Sequence, residues 1–454
     1  MRFLVLLSLI FFGQHLAAEK FTLDPILVLR LAYENNRDLK IARTGLKKAI
    51  ARVEKAAVDF GLRLDFLSNL SSADMPSYYL GKTVDQREMQ FNTVDLNNPG
   101  THAHTETGIG FSFPLYLGGL KKLSRKMAQQ GKDISLQTKE ALTNQVLSTA
   151  ISLYYQYRIA LEQEETERKS LERIRAHLSE IQVKFTGGSV LKTDVLSMKV
   201  RVEETRLRLV SAANLVHISK ATLLTFLGLD LETEIVIGNK DWELPDLPGT
   251  FVNARAEALK NRKELSVARL GVKMGETGIG LSQVDRKWKI NFFGNYKYNS
   301  KDFSLSQDRD NWMTGVQISK NIFDNNLSRR KKSVALMAKK EALDRQEKVL
   351  SRIELDVKRA VESRKHAAEA LKVSRSNLKL AKENLDLMKQ QYEGGSITVT
   401  ALLDVDQAYA NALSGQVLAK YRDLIARAEL RRATGQWLAC ISKFTGKTGF
   451  QGMK

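Results

Sequence analysis

Lys184-Phe185-Thr186-Gly187-Gly188-Ser189-Val190 and Gln391-Tyr392-Glu393-Gly394-Gly395-Ser396-Ile397 are one motif written twice. The offset is 207 positions, and it holds on both sides without an insertion. Thr107-Gly108-Ile109 matches Thr314-Gly315-Val316, and Leu223 with Gly228 matches Leu430 with Gly435. Self-similarity at a fixed offset defines the structural unit before any element is assigned. Nearer the N-terminus the offset becomes 226, with Asp38-Leu39, Ala42-Arg43 and Gly45 matching Glu264-Leu265, Ala268-Arg269 and Gly271. The first copy therefore holds 19 extra residues between about Gly45 and Thr107.

Outward from the glycines, each copy has one order: helix, strand, loop, strand, very long helix, glycine turn, returning helix. The long helices are predicted over Leu120 to Phe185 and Leu327 to Tyr392, some 66 residues each. That is roughly 100 Å at 1.5 Å per residue. Leu171, Ile174, Leu178, Ile181 and Phe185 keep a 3-4-3-4 spacing, as do Leu378, Ala381, Leu385, Met388 and Tyr392, which marks a coiled-coil seam. The returning helix, Val190 to Gly228, has about 39 residues and the opening helix, Asp24 to Val58, about 35. Stacked end to end they match one long helix, so a bundle of constant thickness forms. Asp24 followed by Pro25 reads as an N-cap with proline at the first helical position.

Between the helices the period changes to two. Leu62, Leu64 and Phe66 alternate with Arg63 and Asp65, and Ile109, Phe111, Phe113 and Leu115 with Gly110 and Ser112. In the second copy Trp288, Ile290, Phe292, Tyr296 and Tyr298 alternate with Lys287, Lys289, Asn291, Asn295 and Lys297. One apolar and one polar face is the pattern of a barrel wall. The surplus residues fall in a polar loop at about Ser71 to His104. Four strands cannot close a barrel, and an open edge in lipid costs several kcal/mol per unpaired backbone group. The subunit is therefore expected to oligomerise: three copies give twelve strands, whereas two give eight, a bore filled by side chains. The fold class is mainly α with a membrane β-barrel, duplicated within the chain.

Met1-Arg2, the apolar run Phe3 to Phe12, and the small pair Ala17-Ala18 have the layout of a secretory leader. No later stretch is long and uncharged enough to read as a spanning helix, so any span is expected to be β. The single cysteine, Cys440, is far from the cleavage site, so N-terminal lipid anchoring is not expected. Nor can one thiol form an internal disulfide. The chain is divided into a leader at 1–18, a first repeat at 19–230, a linker at 231–250, a second repeat at 251–440 and a short tail at 441–454.

The formal charge is +20, yet the basic residues are interleaved with Glu and Asp along helices such as Glu162 to Glu180. That is a solvated face, and nucleic acid is not an expected partner. Gly275, Gly278 and Gly280 have the inverse of a dinucleotide spacing and lead into a strand, so they read as a joint. His102 and His104 lack a third ligand nearby, and Cys440 has no visible base. No enzyme, cofactor or metal site is expected.

Gly108-x-Gly110-Phe111-x-Phe113-Pro114-Leu115-Tyr116-x-Gly118-Gly119 resembles the strand-exit motif of the TolC-like outer-membrane efflux proteins. The glycine turns followed by Lys192-Thr193-Asp194-Val195-Leu196 and Ala401-Leu402-Leu403-Asp404-Val405 resemble that family's periplasmic tips. The second copy departs in having Asn321 where the family has the strand-exit proline. The resemblance implies a homotrimeric twelve-stranded barrel continued by an α-helical tunnel, in the outer membrane and reaching into the periplasm. It implies a passive exit duct for small molecules or polypeptides, docked on a periplasmic adaptor and an inner-membrane pump or ABC transporter of a type I secretion system. An envelope coiled-coil tether is the alternative, disfavoured by the alternating strands.

By the same resemblance Gly187, Gly188, Thr193, Gly394, Gly395 and Thr400 are adaptor-contact positions. Asp194 and Tyr392 stand where the family closes its aperture, although the arginine of that latch is here Ile397. Of two aspartate-ring positions, Ala401 has lost its carboxylate and Asp404 keeps it. Independently, Lys121-Lys122 and Arg329-Arg330-Lys331-Lys332 follow directly after strands. They read as a belt for anionic headgroups of outer-membrane lipid, at a helix start where cations oppose the dipole.

Overall fold

Asp24 starts the first helix as its sequence dictates: its Oδ1 accepts from the Leu27 amide at 2.7 Å, and Pro25 opens the first turn. The computed structural model describes residues 21–90, 95–238, 250–302 and 307–441. The leader 1–18 lies outside them, as do most of the linker 231–250 and of the tail 441–454.

Along the chain run β1 (Phe21–Leu23), α1 (Pro25–Asn35), α2 (Arg37–Val58), β2 (Arg63–Ala73), α3 (Pro76–Asp85), β3 (His102–Leu117), α4 (Leu120–Thr186) and α5 (Lys192–Leu227). Next come β4 (Ile235–Ile237), α6 (Phe251–Asn261), α7 (Lys263–Leu281), β5 (Lys289–Ser300), β6 (Asp310–Ser319), α8 (Leu327–Glu393) and α9 (Val399–Ala433). Apart from α3, which the first copy alone carries, the repeat is reproduced: α4 and α8 have 67 residues each, and α5 and α9 have 36 and 35.

The same sequence offsets recur in backbone conformation. Gly228 and Gly435 end the returning helices at φ 69° and 75°. A Cβ on Gly228 would lie 2.8 Å from the Asn35 carbonyl, and one on Gly435 3.0 Å from the Asn261 carbonyl carbon. Both the left-handed cap and the close approach require glycine. At the strand exits Gly118 and Gly119 have positive φ, and their counterparts Asn325 and Asn326 adopt it too; asparagine is among the few side chains that visit this region readily.

Two expectations are corrected. The opening helix is broken at Asn36 (and at Arg262 in the second copy), because the Asn36 side chain competes with the backbone. Its Oδ1 accepts from the amides of Asp38 and Leu39 at 3.0 and 3.2 Å, while its Nδ2 donates to the Phe226 carbonyl at 3.0 Å. The polar loop 71–104 is not merely a loop. β2 continues to Ala73, Pro76 at the first turn starts α3, and β3 begins at His102.

The chain forms two compact units. Among the described residues the first comprises 21–44, 137–238, 250–265 and 349–441. It buries Tyr154, Tyr155, Leu147, Ile151, Leu223, Leu227, Tyr421 and Trp437 in one core, with β1 paired parallel to β4. Ala254, Ala258, Ile353, Val357, Leu430 and Ala433 form a second core. A third gathers Leu171, Ile174, Ile181, Val195, Met198, Val202, Val399 and Leu403; of the predicted seams Leu171, Ile174, Ile181 and Leu385 are buried, Leu178, Leu378, Ala381, Met388 and Tyr392 are half-buried, and Phe185 is exposed. α5 carries an apolar stretch long enough to cross a membrane by length and composition, yet it spends Leu223 and Leu227 on the first core.

The second unit, residues 45–136 and 266–348, holds one antiparallel sheet in the order β2-β3-β5-β6. Strands of the two copies meet at β3 and β5, with a register shift between Pro114 and Tyr116.

Trp437 is fully buried, donates Nε1–H to the Ala428 carbonyl at 3.1 Å, and its amide reaches the Asn144 side chain at 3.3 Å. Trp437→Ala is expected to cost about 3–5 kcal/mol, read as a lower urea midpoint by circular dichroism in detergent.

Candidate functional site

Register separates the sheet into two faces. Leu64, Phe66 and Leu70 of β2 share one side with Ile109, Phe111 and Phe113 of β3. Phe292 and Tyr296 of β5, and Trp312, Val316 and Ile318 of β6, continue it. Most of this face is uncovered: Phe66 is 71% exposed and Trp312 72%. The other face carries Arg63, Asp65, Asn69, His102, His104, Glu106, Asn291, Asn295, Lys297, Asn311 and Gln317. Aromatic rings sit toward both ends of the apolar band, Tyr116 and Trp288 at one and Tyr296 and Trp312 at the other. An apolar band between aromatic girdles, backed by a polar face, is the chemistry of a lipid-facing wall with a wet lumen. The outer edges of β2 and β6 have no strand beside them among the described residues.

At the helix-bearing end of the sheet, Lys121, Lys122, Arg329, Arg330, Lys331 and Lys332 are all exposed. Lys331 is not free: its Nζ donates to Asp285 at 2.8 Å, and Lys289 reaches the other oxygen of Asp285 at 3.3 Å. These two lysines hold the Asp285 carboxyl below its ordinary pKa, Lys331 first. Asp324 caps α8 through the Ser328 amide at 2.9 Å and the Ser328 hydroxyl, which also lowers its pKa. Asp285 and Asp324 thus supply the negative charge that the first turn of α8 lacks. With Ser319, Lys320 and Asn321 they line a cavity of about 340 Å³.

The glycine tips are alike in both copies. Ser189 donates to the Lys184 carbonyl at 2.9 Å and Gly188 to Phe185 at 3.0 Å; Ser396 and Gly395 repeat this on Gln391 and Tyr392 at 2.9 and 3.1 Å. Gly188 and Gly395 have φ 74° and 72°, so each tip is a Schellman-type stop. Gly187, Gly188, Gly394, Gly395, Thr193 and Thr400 are all exposed. The returning helices then start differently. In the first copy Asp194 Oδ2 accepts from the Leu191 amide at 3.1 Å; in the second Thr398 Oγ1 accepts from Ala401 at 3.3 Å.

The hydrogen bond expected between Asp194 and Tyr392 is not made within the subunit. The carboxylate is spent on the helix start, and the buried Tyr392 hydroxyl has no partner among the described residues. The ring instead receives Lys184, whose Nζ lies 4.3 Å from its centroid, a cation–π contact. Asp404 is 68% exposed and lies 3.5 Å from Arg201. Asp406, two residues on, is 1% exposed and takes Arg173 Nε at 3.1 Å. Arg201 and Arg173 are therefore the charged partners that sequence reasoning missed. Their one signal was sharing a helix with residues already singled out, and pairing across helices is invisible in one dimension.

The comparisons accord with this geometry. The sequence matches the outer membrane efflux protein family over residues 28–229 and 254–436. The CmeC outer membrane channel of Campylobacter jejuni is similar in fold, with TM-score 0.78 and 17% identity over 94% of this chain and 90% of that one. A membrane protein from Pseudomonas aeruginosa gives 0.77 and 18%, over 92% and 95%. The open state of the MtrE outer membrane channel of Neisseria gonorrhoeae gives 0.71 and 17%, over 90% and 88%. No curated protein sequence matches the chain. The chain belongs to the outer membrane efflux protein family. It is the subunit of an outer-membrane exit duct, and the coiled-coil tether is not favoured.

Burial separates the two tip aspartates. Asp406→Asn leaves Arg173 without its buried partner and is expected to cost about 3 kcal/mol. Asp404→Asn breaks an exposed pair and is expected to cost at most about 1 kcal/mol. Urea unfolding of both variants measures the contrast.

Proposed function

We propose that the duct is a homotrimer whose subunits close a twelve-stranded barrel and dock through their glycine tips on a periplasmic adaptor. The adaptor couples it to an inner-membrane pump or ABC transporter, and the subunit conducts without catalysing. The observation that carries this is the pair of open edges on a sheet with one apolar face. β2 and β6 run antiparallel in the order given, so a neighbour's β2 can continue the ladder of β6 around a ring. In lipid each unpaired backbone group would cost several kcal/mol. The first unit supports the same assembly: α5 leaves Leu196, Val200, Leu207 and Val210 exposed, an apolar stripe at coiled-coil spacing. Detergent-extracted protein is expected to have about three times the chain mass, roughly 150 kDa. A monodisperse monomer with full β content would refute the barrel.

The tips are the proposed resting gate. Asp404 faces solvent and, among the described residues, is tethered by the long contact to Arg201, which leaves a carboxylate able to form a ring of three in the trimer. Such a ring attracts cations. Asp404→Asn is expected to reduce cation selectivity and block by trivalent cations in bilayer recordings, while Arg201→Gln strengthens both. Because the Tyr392 hydroxyl lacks a partner in its own subunit, Tyr392→Phe is expected to leave subunit stability unchanged. A rise in single-channel conductance in that variant would then report a bond made across subunits.

The basic belt is proposed to hold anionic headgroups, each cation contributing about 1 kcal/mol. Asp285 has a lowered pKa, so its hold on Lys331 is complete at neutral pH and is lost as pH falls through that value. Retention of anionic lipid is expected to rise on acidification and in Asp285→Asn, and to fall when Arg329, Arg330 and Lys332 are neutralised. Quantifying co-purified phospholipid decides; unchanged lipid in all three removes the belt.

A further inference from the structure

The surplus of the first copy is not a slack hairpin but a helix laid on the sheet. α3 and the two residues after Gln86 are fastened to the polar face at the end away from the helices. Tyr78 hydroxyl and Ser71 Oγ are 2.6 Å apart, and Gln86 Nε2 lies 2.9 Å from His104 Nδ1. The Tyr79 ring meets His102 edge-on with centroids 5.0 Å apart. Lys82 lies 3.8 Å from Glu106, which Lys297 holds at 2.7 Å, and Asn311 donates to the Asp85 carbonyl at 2.9 Å. Beyond the helix, Arg87 donates to the Asp310 carbonyl at 2.8 Å, and Glu88 pairs with Lys301 at 2.7 Å and with Arg309. Ser71, His102, His104, Glu106, Lys297 and Asn311 share the polar face by register, so α3 crosses from β2 to β6 on that side.

From this placement we infer that α3 is a second constriction, lying inside the outer mouth of the barrel and limiting the size of what leaves. The inference rests on the barrel reading above, since a barrel turns its polar face inward. Two further observations support it. The seam between α3 and the sheet is polar and incompletely satisfied: Thr83 Oγ1, Gln86 Oε1, His102 Nε2 and His104 Nε2 are buried without a partner among the described residues. Buried polar atoms of this kind take water, and with half-exposed ion pairs around them the helix is held in place without an apolar core that would weld it there. The face of α3 turned from the sheet carries Leu80 and Val84, 43% and 52% exposed, one turn apart on the same side. In a ring of three subunits those side chains point into the lumen, where copies of α3 meet or narrow the passage. The exported cargo is then of small-solute size unless α3 swings away.

The test uses the full mature trimer in intact cells, with Cys440→Ser to remove the native thiol. Gln317→Cys places a thiol on the polar face near the helix-bearing end, and membrane-impermeant maleimide polymers of rising size are added outside. The largest polymer that labels is the readout. Replacing 76–88 by a short Gly-Ser turn is expected to raise that cut-off severalfold in polymer mass. Lys82→Ala with Glu88→Ala, which keeps chain length, is expected to raise it in the same direction. The double variant decides if the deletion fails to assemble. Equal cut-offs in the parent and in whichever variants assemble would overturn the constriction. Absence of a trimer in the parent would instead overturn the barrel.

Discussion

Unpaired backbone is the constraint on which this subunit depends. Within hydrocarbon an amide or carbonyl finds no water, so the free edges of β2 and β6 must meet other strands. Among the described residues the subunit's antiparallel sheet has four strands, too few to curl upon themselves. Its apolar face, with Phe66 and Trp312 mostly uncovered, is as unsuited to water as its edges are to lipid. The proposed closure with further copies would meet both needs together, and the duplication, which supplies strands in antiparallel pairs, would keep such a ring even.

Duplication also explains why the same conformations recur while the chemistry diverges. Left-handed backbone is required at each strand exit, and it is met by Gly118-Gly119 in one copy and Asn325-Asn326 in the other. The returning helix is started by an aspartate in the first copy and by a threonine in the second. Having a cap at Thr398 releases position 401 from that duty, and it is alanine. Asp194 cannot be released in the same way, because Leu191 at the equivalent cap has no acceptor. Local capping therefore competes with any latch for the Asp194 carboxylate, and within the subunit capping wins.

Charge is distributed by burial. Arg364 with Asp423 and Arg173 with Asp406 are held where water is scarce, so losing one partner strands the other. Asp404 and the cations Arg329, Arg330 and Lys332 remain exposed, where an ion pair is worth little and the charge stays available to a solute or headgroup. That division buries the charge pairs that link helices and leaves the charges at the tip and the strand exits in solvent.

Much of the fold was legible in one dimension. The offset of 207 fixed the repeat, the period of two marked the wall, and heptad spacing gave the long helices to within a residue or two of their observed ends. These features depend on neighbours in sequence, on caps such as Asp24 and on turns such as Gly188 and Gly395, so composition and spacing suffice. The break at Asn36 depends on a side chain choosing the Phe226 carbonyl 190 positions away, which no local pattern encodes. The same holds for Arg201 and Arg173 opposite the tip aspartates, and for Asp285 neutralising Lys331. α3 was hidden for a different reason: ten residues that include two Tyr, a Gly, a Thr and a Val have little helical propensity of their own. Only packing on the polar face of the sheet, where Thr83 and Gln86 are buried against His102 and His104, gives that segment its structure.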